Sequence, residues 1–117
     1  MRGRLADLTF DDNGAAPVAH VTGEVDASNA AELRTALVDC LSNDASGLIL
    51  DLSETSYLDS TGISLLFELA RGLAARRQVL RVVVPRTAPI RRVLELCDVN
   101  SVAPLDEAPE DSLASFA

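Results

Sequence analysis

Two neighbouring hydroxyl side chains, Ser60 and Thr61, lie between a carboxylate and a glycine in the stretch SYLDSTG, residues 56–62. A serine beside a base can act as a nucleophile, carboxylates can bind a metal ion, and a glycine-containing loop can cradle phosphate. The same residue types also start helices: Asp59 or Ser60 can accept hydrogen bonds from free amides, and Gly62 allows a tight turn or the close approach of another surface. Local chemistry alone favours the helix cap.

A serine hydrolase needs its nucleophile in a G-x-S-x-G elbow, together with a histidine base. Here Leu58 and Gly62 flank the serine, and the single histidine, His20, falls within a different predicted strand. We expect His20 to be a half-buried packing residue. The sequence therefore does not support nucleophilic catalysis at Ser60.

Phosphate-loop and metal chemistry also lack essential residues. The G-x-x-x-x-G-K-[ST] loop requires a lysine, and the chain contains none. Asp51, Glu54 and Asp59 are candidate metal ligands, but nothing in the pattern fixes a third or fourth ligand among them, and a solvated acidic rim explains them better. We predict no catalytic site, no metal and no cofactor.

Strand and helix patterns alternate along the chain, which predicts a single α/β domain with crossover connections. The first half predicts strands in RLADLTF (4–10) and VAHVTGEV (18–25), separated by the turn DDNGAAP (11–17). A capping-box spacing from Asn29 to Glu32 then starts a helix. The apolar stripe of that helix comprises Leu33, Leu37, Cys40 and Leu41.

The second half begins with the apolar run LILDL (48–52), typical of a strand covered on both faces. VLRVVVP (79–85) is another buried strand, SVAPLDEA (101–108) a final strand, and the tail either a short helix or a frayed end. Two helical stripes complete the pattern: Ile63, Leu66, Phe67, Ala70, Leu73 and Ala74, and then Ile90, Val93, Leu94 and Cys97.

The composition supports one domain over residues 1–117: the chain has 117 residues, and 48% of them are hydrophobic. It shows neither a membrane-spanning run nor a signal peptide, which predicts a cytoplasmic protein. The net charge of -8 argues against nucleic acid or an anionic membrane as partner. Cys40 and Cys97 are interpreted as small buried hydrophobic residues. The arginines of residues 71–92 are interpreted as a solvated face, with a second interaction surface as the alternative.

Three features together resemble the STAS domain of bacterial anti-sigma factor antagonists: GEVD at residues 23–26, LILDLSETSYLDSTG at 48–62, and the apolar helix that follows. The resemblance extends from Leu5 to about Leu105, which leaves an acidic tail at 106–117. It implies a STAS-like domain with a mixed β-sheet and helices packed mainly on one side.

The resemblance also implies a function in transcription regulation. The unphosphorylated protein would bind an anti-sigma factor that is also a serine kinase, and so release the sigma factor. Phosphorylation of Ser60, less favoured at Thr61, would break the complex, and a PP2C-type phosphatase would restore it. Asp26 would lie beside Ser60 and help position the turn or the kinase. The expected partner-binding residues are Glu24, Asp26, Glu54, Asp59, Ser60, Thr61 and Gly62.

Two alternatives stay open at this point. The same domain could serve as a non-switching STAS subunit of a lipid- or ion-transport assembly, in which the turn only caps a helix. An acidic-site hydrolase around Asp59 and Ser60 is a more distant possibility. The sequence leaves the oligomeric state open, and Ser112 and Ser115 are further candidate hydroxyls for phosphorylation.

Overall fold

The computed structural model describes residues 6–12 and 16–116, and within them a mixed β-sheet packs against helices. The α/β class predicted from the sequence is confirmed. The strands are β1 (Ala6–Asp11), β2 (Val18–Val25), β3 (Gly47–Asp51), β4 (Thr55–Leu58), β5 (Val79–Val83) and β6 (Leu105–Asp106). The helices are α1 (Ala30–Asp39), α2 (Ser60–Ala75), α3 (Arg91–Leu96) and α4 (Pro109–Ser115), with a 3-10 turn at Val99–Ser101.

The strand order is β1-β2-β3-β5-β6, with β4 also paired to β2. Only the β1–β2 pair of the described sheet is antiparallel, because the other strands follow crossover helices or the short β3–β4 connection. The predicted first strand began at Arg4, but Arg4 and Leu5 lie outside the described residues. The central part of the predicted turn, residues 13–15, does so as well.

The sequence patterns did not indicate β4 (Thr55–Leu58). Four residues are too few for a period-2 pattern to emerge, and the strand is defined by its partner. Gly23 pairs with Thr55, Glu24 with Tyr57 and Val25 with Leu58, with a shift of register after Gly23. As a result α2 follows the end of β4, and the turn before it lies beside the end of β2.

The main core lies on the sheet face that α1, α2 and α3 cover, as expected for helices packed mainly on one side. The predicted two-sided burial of LILDL is confirmed, since Leu48, Ile49 and Leu50 are at most 1% exposed. Leu48 and Leu50 belong to the main core, whereas Ile49 faces the opposite side of the sheet. There it packs with Val18 and Val83 beneath Leu113 and Phe116.

The C-terminal residues form α4, which docks on this opposite face of the sheet. Ser112 is fully buried and its Oγ donates a hydrogen bond to Asp106 Oδ2 at 2.6 Å. Arg81 donates two hydrogen bonds to the same carboxylate, at 2.8 and 3.0 Å. Burial opposes ionisation of Asp106, but these donors and the charge of Arg81 outweigh it and lower its pKa. Because Ser112 is buried, it is not an accessible phosphorylation site in the folded domain.

Several side-chain positions differ from the predicted helical stripes. In α2 the buried residues include Leu65 and Leu69, whereas Ala74 is exposed. ISLLFELA is apolar on more than one face, so the pattern did not identify which face meets the sheet. The cysteine prediction was correct in part: Cys40 is half-buried against the main core, whereas Cys97 is exposed, and both are free thiols.

Gly72 lies inside α2, where a Cβ atom would meet no other atom within 4 Å. Glycine in a helix interior is less favourable than alanine by about 1 kcal/mol. We expect Gly72→Ala to raise the free energy of unfolding by about 0.5–1 kcal/mol, measured by urea denaturation with an unchanged m-value. An equal or lower unfolding free energy would contradict the open environment of this position.

Candidate functional site

The turn between β4 and α2 presents the two hydroxyls at the surface. Asp59 caps α2: its Oδ1 accepts a hydrogen bond from the Gly62 amide at 3.0 Å, and its backbone is extended. Ser60 is the first residue of the helix and Thr61 the second, and both are exposed. The expected helix cap is therefore present, with Asp59 rather than Ser60 accepting the bond.

Gly62 is buried and has a packing role within the chain. A Cβ atom on this residue would lie 2.8 Å from the side chain of Leu58 and 3.4 Å from that of Val25. The close approach expected of this glycine is therefore made by the protein's own β4 and β2. The absence of a side chain at Gly62 lets the first turn of α2 pack directly on the ends of these two strands.

The loop between β2 and α1 lies next to this turn, since the Asp59 amide donates to the carbonyl of Val25 at 3.3 Å. Asp26, the next residue, is partly buried and accepts hydrogen bonds from the amide and the Oγ of Ser28, at 2.9 and 2.6 Å. Its backbone carbonyl accepts from the amide of Ala30 at 2.9 Å. These bonds organise the start of α1.

Asn29 precedes α1, but the predicted capping box is wrong. Its side-chain oxygen accepts from the Asp26 amide at 3.0 Å, and its side-chain nitrogen donates to the Glu24 carbonyl at 2.8 Å. The side chain thus closes the β2–α1 loop instead of capping the helix that follows. The sequence spacing predicted the helix correctly and its cap incorrectly, because an asparagine can satisfy either set of backbone groups.

The carboxylates predicted to surround the hydroxyls differ in exposure. Glu24 and Glu54 are exposed, whereas Asp26 and Asp59 are partly buried and accept hydrogen bonds from backbone amides. Gly23 donates its amide to the Glu54 carbonyl at 3.2 Å, which fixes the β3–β4 connection beside β2. The rim beside the turn is therefore acidic, as the sequence suggested.

A groove of about 280 Å³ between α1 and α2 starts at Thr61 and includes Ser64 one turn further along. Arg34 of α1 crosses it, with its Nε 3.5 Å from Glu68 Oε1 of α2. Both side chains of this ion pair are about half exposed, so its strength is modest. Neither Arg34 nor Ser64 stands out in the sequence, because nothing in the pattern shows which faces of two helices meet.

The residues proposed as alternative metal ligands are held by other partners or lie apart. Asp51 Oδ1 accepts hydrogen bonds from the amide and Oγ of Ser53, at 3.0 and 2.6 Å, and Oδ2 lies 2.7 Å from His20 Nδ1. Across residues 6–12 and 16–116, no group of three His, Cys, Asp or Glu side chains could hold a metal ion. In the same part of the chain, no helix is long and apolar enough to cross a membrane.

His20 is partly buried as expected, but it has an electrostatic role in addition to packing. Its two ring nitrogens lie 2.7 Å from Asp51 Oδ2 and 2.8 Å from Asp11 Oδ2, so it links β1, β2 and β3. Burial opposes protonation of the ring, but the hydrogen bonds and charges of Asp11 and Asp51 outweigh it and raise the pKa of His20. The distant sequence positions of the two aspartates concealed this arrangement.

The raised pKa of His20 means that the folded protein binds a proton more tightly than the unfolded chain. The resulting stabilisation is complete below about pH 6.5, the unfolded value, and is lost as the pH rises through the folded value. We expect the unfolding free energy to fall with pH in that window, and less so in His20→Gln. Urea denaturation from pH 5.5 to 9 measures both slopes; identical slopes would exclude the linkage.

Known proteins contain domains that are similar to this chain in sequence and fold. The family model described as Mlab, STAS domain, matches residues 8–105. A comparison with curated proteins found no match. A solved anti-sigma factor antagonist from Mycobacterium paratuberculosis is 25% identical, with a TM-score of 0.83, over 95% of this chain and 93% of that one.

Two further solved structures share the fold at lower identity. The unphosphorylated anti-sigma factor antagonist SpoIIAA, from Bacillus, is 17% identical with a TM-score of 0.75, over 93% of this chain and 95% of that one. A sulfate transporter family protein from Wolinella succinogenes is 16% identical with a TM-score of 0.73, over 87% of this chain and 84% of that one. At these identities, the matches establish the fold alone.

Proposed function

The chain belongs to the STAS domain family, and from that premise we propose that it is a bacterial, cytoplasmic anti-sigma factor antagonist in a partner-switching circuit. In its unphosphorylated form it binds an anti-sigma factor serine kinase and thereby releases the sigma factor. Phosphorylation of Ser60 ends the binding, and a PP2C-type phosphatase reverses it. The protein itself acts as a binding module rather than an enzyme.

The observation that carries this proposal is the exposed hydroxyl of Ser60 at the first position of a 16-residue helix. A phosphate adds about -1.5 to -2 charges, and a helix N-terminus tolerates an anion because its free amides and dipole favour negative charge. Asp59 already satisfies the Gly62 amide, so the helix start does not depend on the Ser60 side chain. The phosphate therefore changes the surface rather than the fold.

The acidic residues beside the turn support a partner that presents basic groups around its own kinase active site. Glu24, which pairs with Tyr57 of β4, and Glu54, which precedes β4, are both exposed, and Asp26 and Asp59 hold the two adjoining loops. Such charges mainly steer association and fix orientation. We assign direct partner contact to Ser60 and to the exposed carboxylates; Thr61 extends that surface into the helix groove.

The buried Gly62 and the loop-forming Asp26 contribute differently from the exposed residues. Gly62 sets the position of the helix start against Leu58, so it affects the partner through the placement of Ser60. Asp26 shapes the β2–α1 loop through Ser28 and Ala30, and that loop adjoins the turn. We propose that Asp26 positions the turn for the kinase by fixing this loop.

A second candidate is a STAS subunit of a lipid- or ion-transport assembly that does not switch. The description of the family model names Mlab, and the fold is shared with a sulfate transporter family protein. In that role the β4–α2 turn would contact a membrane-protein partner irrespective of phosphate. Phosphate incorporation by a bound kinase separates the two candidates.

We expect Ser60→Ala to abolish phosphate incorporation and Thr61→Ala to leave it largely intact. The test is capture of partners from native extract by immobilised wild-type and variant protein, identification by mass spectrometry, and incubation with ATP. The reverse pattern would assign the phosphate to Thr61. Capture of a transport assembly, with no phosphate transfer and no effect of Ser60→Asp on binding, would favour the second candidate.

A further inference from the structure

The groove between α1 and α2 continues beyond the Arg34–Glu68 ion pair into a second depression of about 160 Å³. We call this the lower groove. Its floor consists of Leu69 and Leu73, which are buried, and Val38 of α1 adds an apolar wall that is 37% exposed. Glu68, Gly72 and Arg76 complete the lining on the side of α2.

Gly72 keeps the lower groove open, and the packing of the domain gives no reason for a glycine there. Its Cβ position is free of other atoms within 4 Å, and glycine is unfavourable inside a helix. In contrast, Gly62 of the same helix is required by Leu58. The bare backbone at Gly72 leaves space over the apolar floor for a side chain from another molecule.

The charges at the lower groove oppose those of the protein as a whole. The chain has a net charge of -8, yet the three charged side chains that line this depression, Arg34, Glu68 and Arg76, sum to one positive charge. Arg34 pairs with Glu68, so Arg76 supplies that charge. Arg76 donates a hydrogen bond to Asn43 Oδ1 at 3.1 Å, which holds its guanidinium at the end of the groove. Charges further away than the Debye length, about 8 Å at physiological ionic strength, contribute little there. The exposed Arg71 and Arg77 add positive charge to the same end of α2.

We propose that the lower groove docks an acidic segment of a protein partner that inserts one large apolar side chain over Gly72. A volume of about 150 Å³ is sufficient for a benzene-sized group, which fits a phenylalanine or leucine side chain. Carboxylates flanking that side chain would meet Arg76 and would compete with Glu68 for Arg34. The proposal goes beyond the switch at Ser60 and does not depend on it, since no residue of the lower groove carries the phosphorylated hydroxyl.

The test is selection of a random 12-residue peptide library on the wild-type domain, with counter-selection on Gly72→Leu. We expect enriched peptides to combine a phenylalanine, leucine or tryptophan with at least two carboxylates. A synthetic peptide of that sequence should bind at least 10-fold more weakly to Gly72→Leu and to Arg76→Gln, and more weakly as salt rises. Ala74→Leu is the matched control, because it adds the same side chain at an exposed position on another face of α2.

Three outcomes would overturn the proposal: no enrichment, enriched peptides without carboxylates, or peptides that bind Gly72→Leu as well as wild type. Dimerisation of the wild-type domain that Gly72→Leu abolishes, measured by sedimentation, would assign the lower groove to a second copy of the chain instead. Ser60→Asp should bind the selected peptide as tightly as wild type. Peptide binding at the lower groove can therefore be observed even if Ser60 is not a switch. In the same way, a switch at Ser60 can be observed even if the lower groove binds no peptide.

Discussion

Phosphorylation of Ser60 is expected to weaken binding to the proposed anti-sigma factor partner at least about 100-fold, with little change in the melting temperature of the isolated domain. A partner that fits a neutral hydroxyl closely would face a bulky dianion, and repulsion or desolvation at an interface costs several kcal/mol. A 100-fold loss corresponds to about 2.7 kcal/mol. The fold is preserved because Ser60 is exposed and Asp59 caps the helix independently of it.

Titration calorimetry with unmodified and phosphorylated protein measures this effect, and Ser60→Asp is expected to reproduce part of it with a single negative charge. Ser42→Asp is a suitable control, since Ser42 is exposed in the α1–β3 connection, which precedes the N-terminal end of β3, whereas Ser60 follows the C-terminal end of β4. It carries the same added charge but should leave the affinity nearly unchanged. Equal losses in both variants would indicate a general charge effect rather than a local one.

The substitution Gly47→Ala is expected to destabilise the domain by about 3 kcal/mol or more. A Cβ atom on Gly47 would lie 2.1 Å from the carbonyl oxygen of Val79 and 2.9 Å from two ring carbons of Phe116. The carbonyl belongs to β5, which pairs with β3 at this residue, so it cannot move away without disrupting the ladder. Overpacking of flexible side chains alone costs about 1–3 kcal/mol, and here the backbone is involved as well.

Urea denaturation with Gly72→Ala as the matched glycine substitution tests this expectation. The two variants make the same chemical change and should shift the unfolding free energy in opposite directions. The ring of Phe116 packs on the face that α4 covers, so Gly47→Ala should also loosen α4 and raise hydrogen exchange of its amides. A decrease of less than about 1 kcal/mol in the unfolding free energy would contradict this expectation, because it would show that β3 and β5 can separate locally at little cost in free energy.

The fold was largely predictable because its central elements have strong local signals. The apolar run at Leu48–Leu50 indicated a strand covered on both faces, and the stretch from Asp59 to Gly62 marked a helix start. β4 was not predictable, since its four residues form a strand only through their pairing with β2. Burial along α2 was shifted from the predicted stripe because several of its faces are apolar.

The sequence indicated the turn that carries Ser60 and Thr61 and the carboxylates near it, but not the contacts around them. The exposed hydroxyls and the acidic rim follow from sequence and from the position of the turn. The ion pair of Arg34 with Glu68, and the pairing of His20 with two carboxylates, join residues far apart in the chain. Such contacts depend on tertiary packing, which local patterns do not encode. The different uses of Gly62 and Gly72 likewise become visible only once their neighbours are known.

The order of the strands has a further consequence for behaviour at high protein concentration. β1 lies at one edge of the sheet, where Asp11 is exposed and bonded to His20, and β6 at the other edge has only two residues. Edge strands that are short or carry charge are poor templates for the addition of another strand. Asp106 of β6 is also committed to Arg81 and Ser112. Both borders of the sheet therefore resist edge-to-edge aggregation, which keeps the faces of the molecule available for reversible binding.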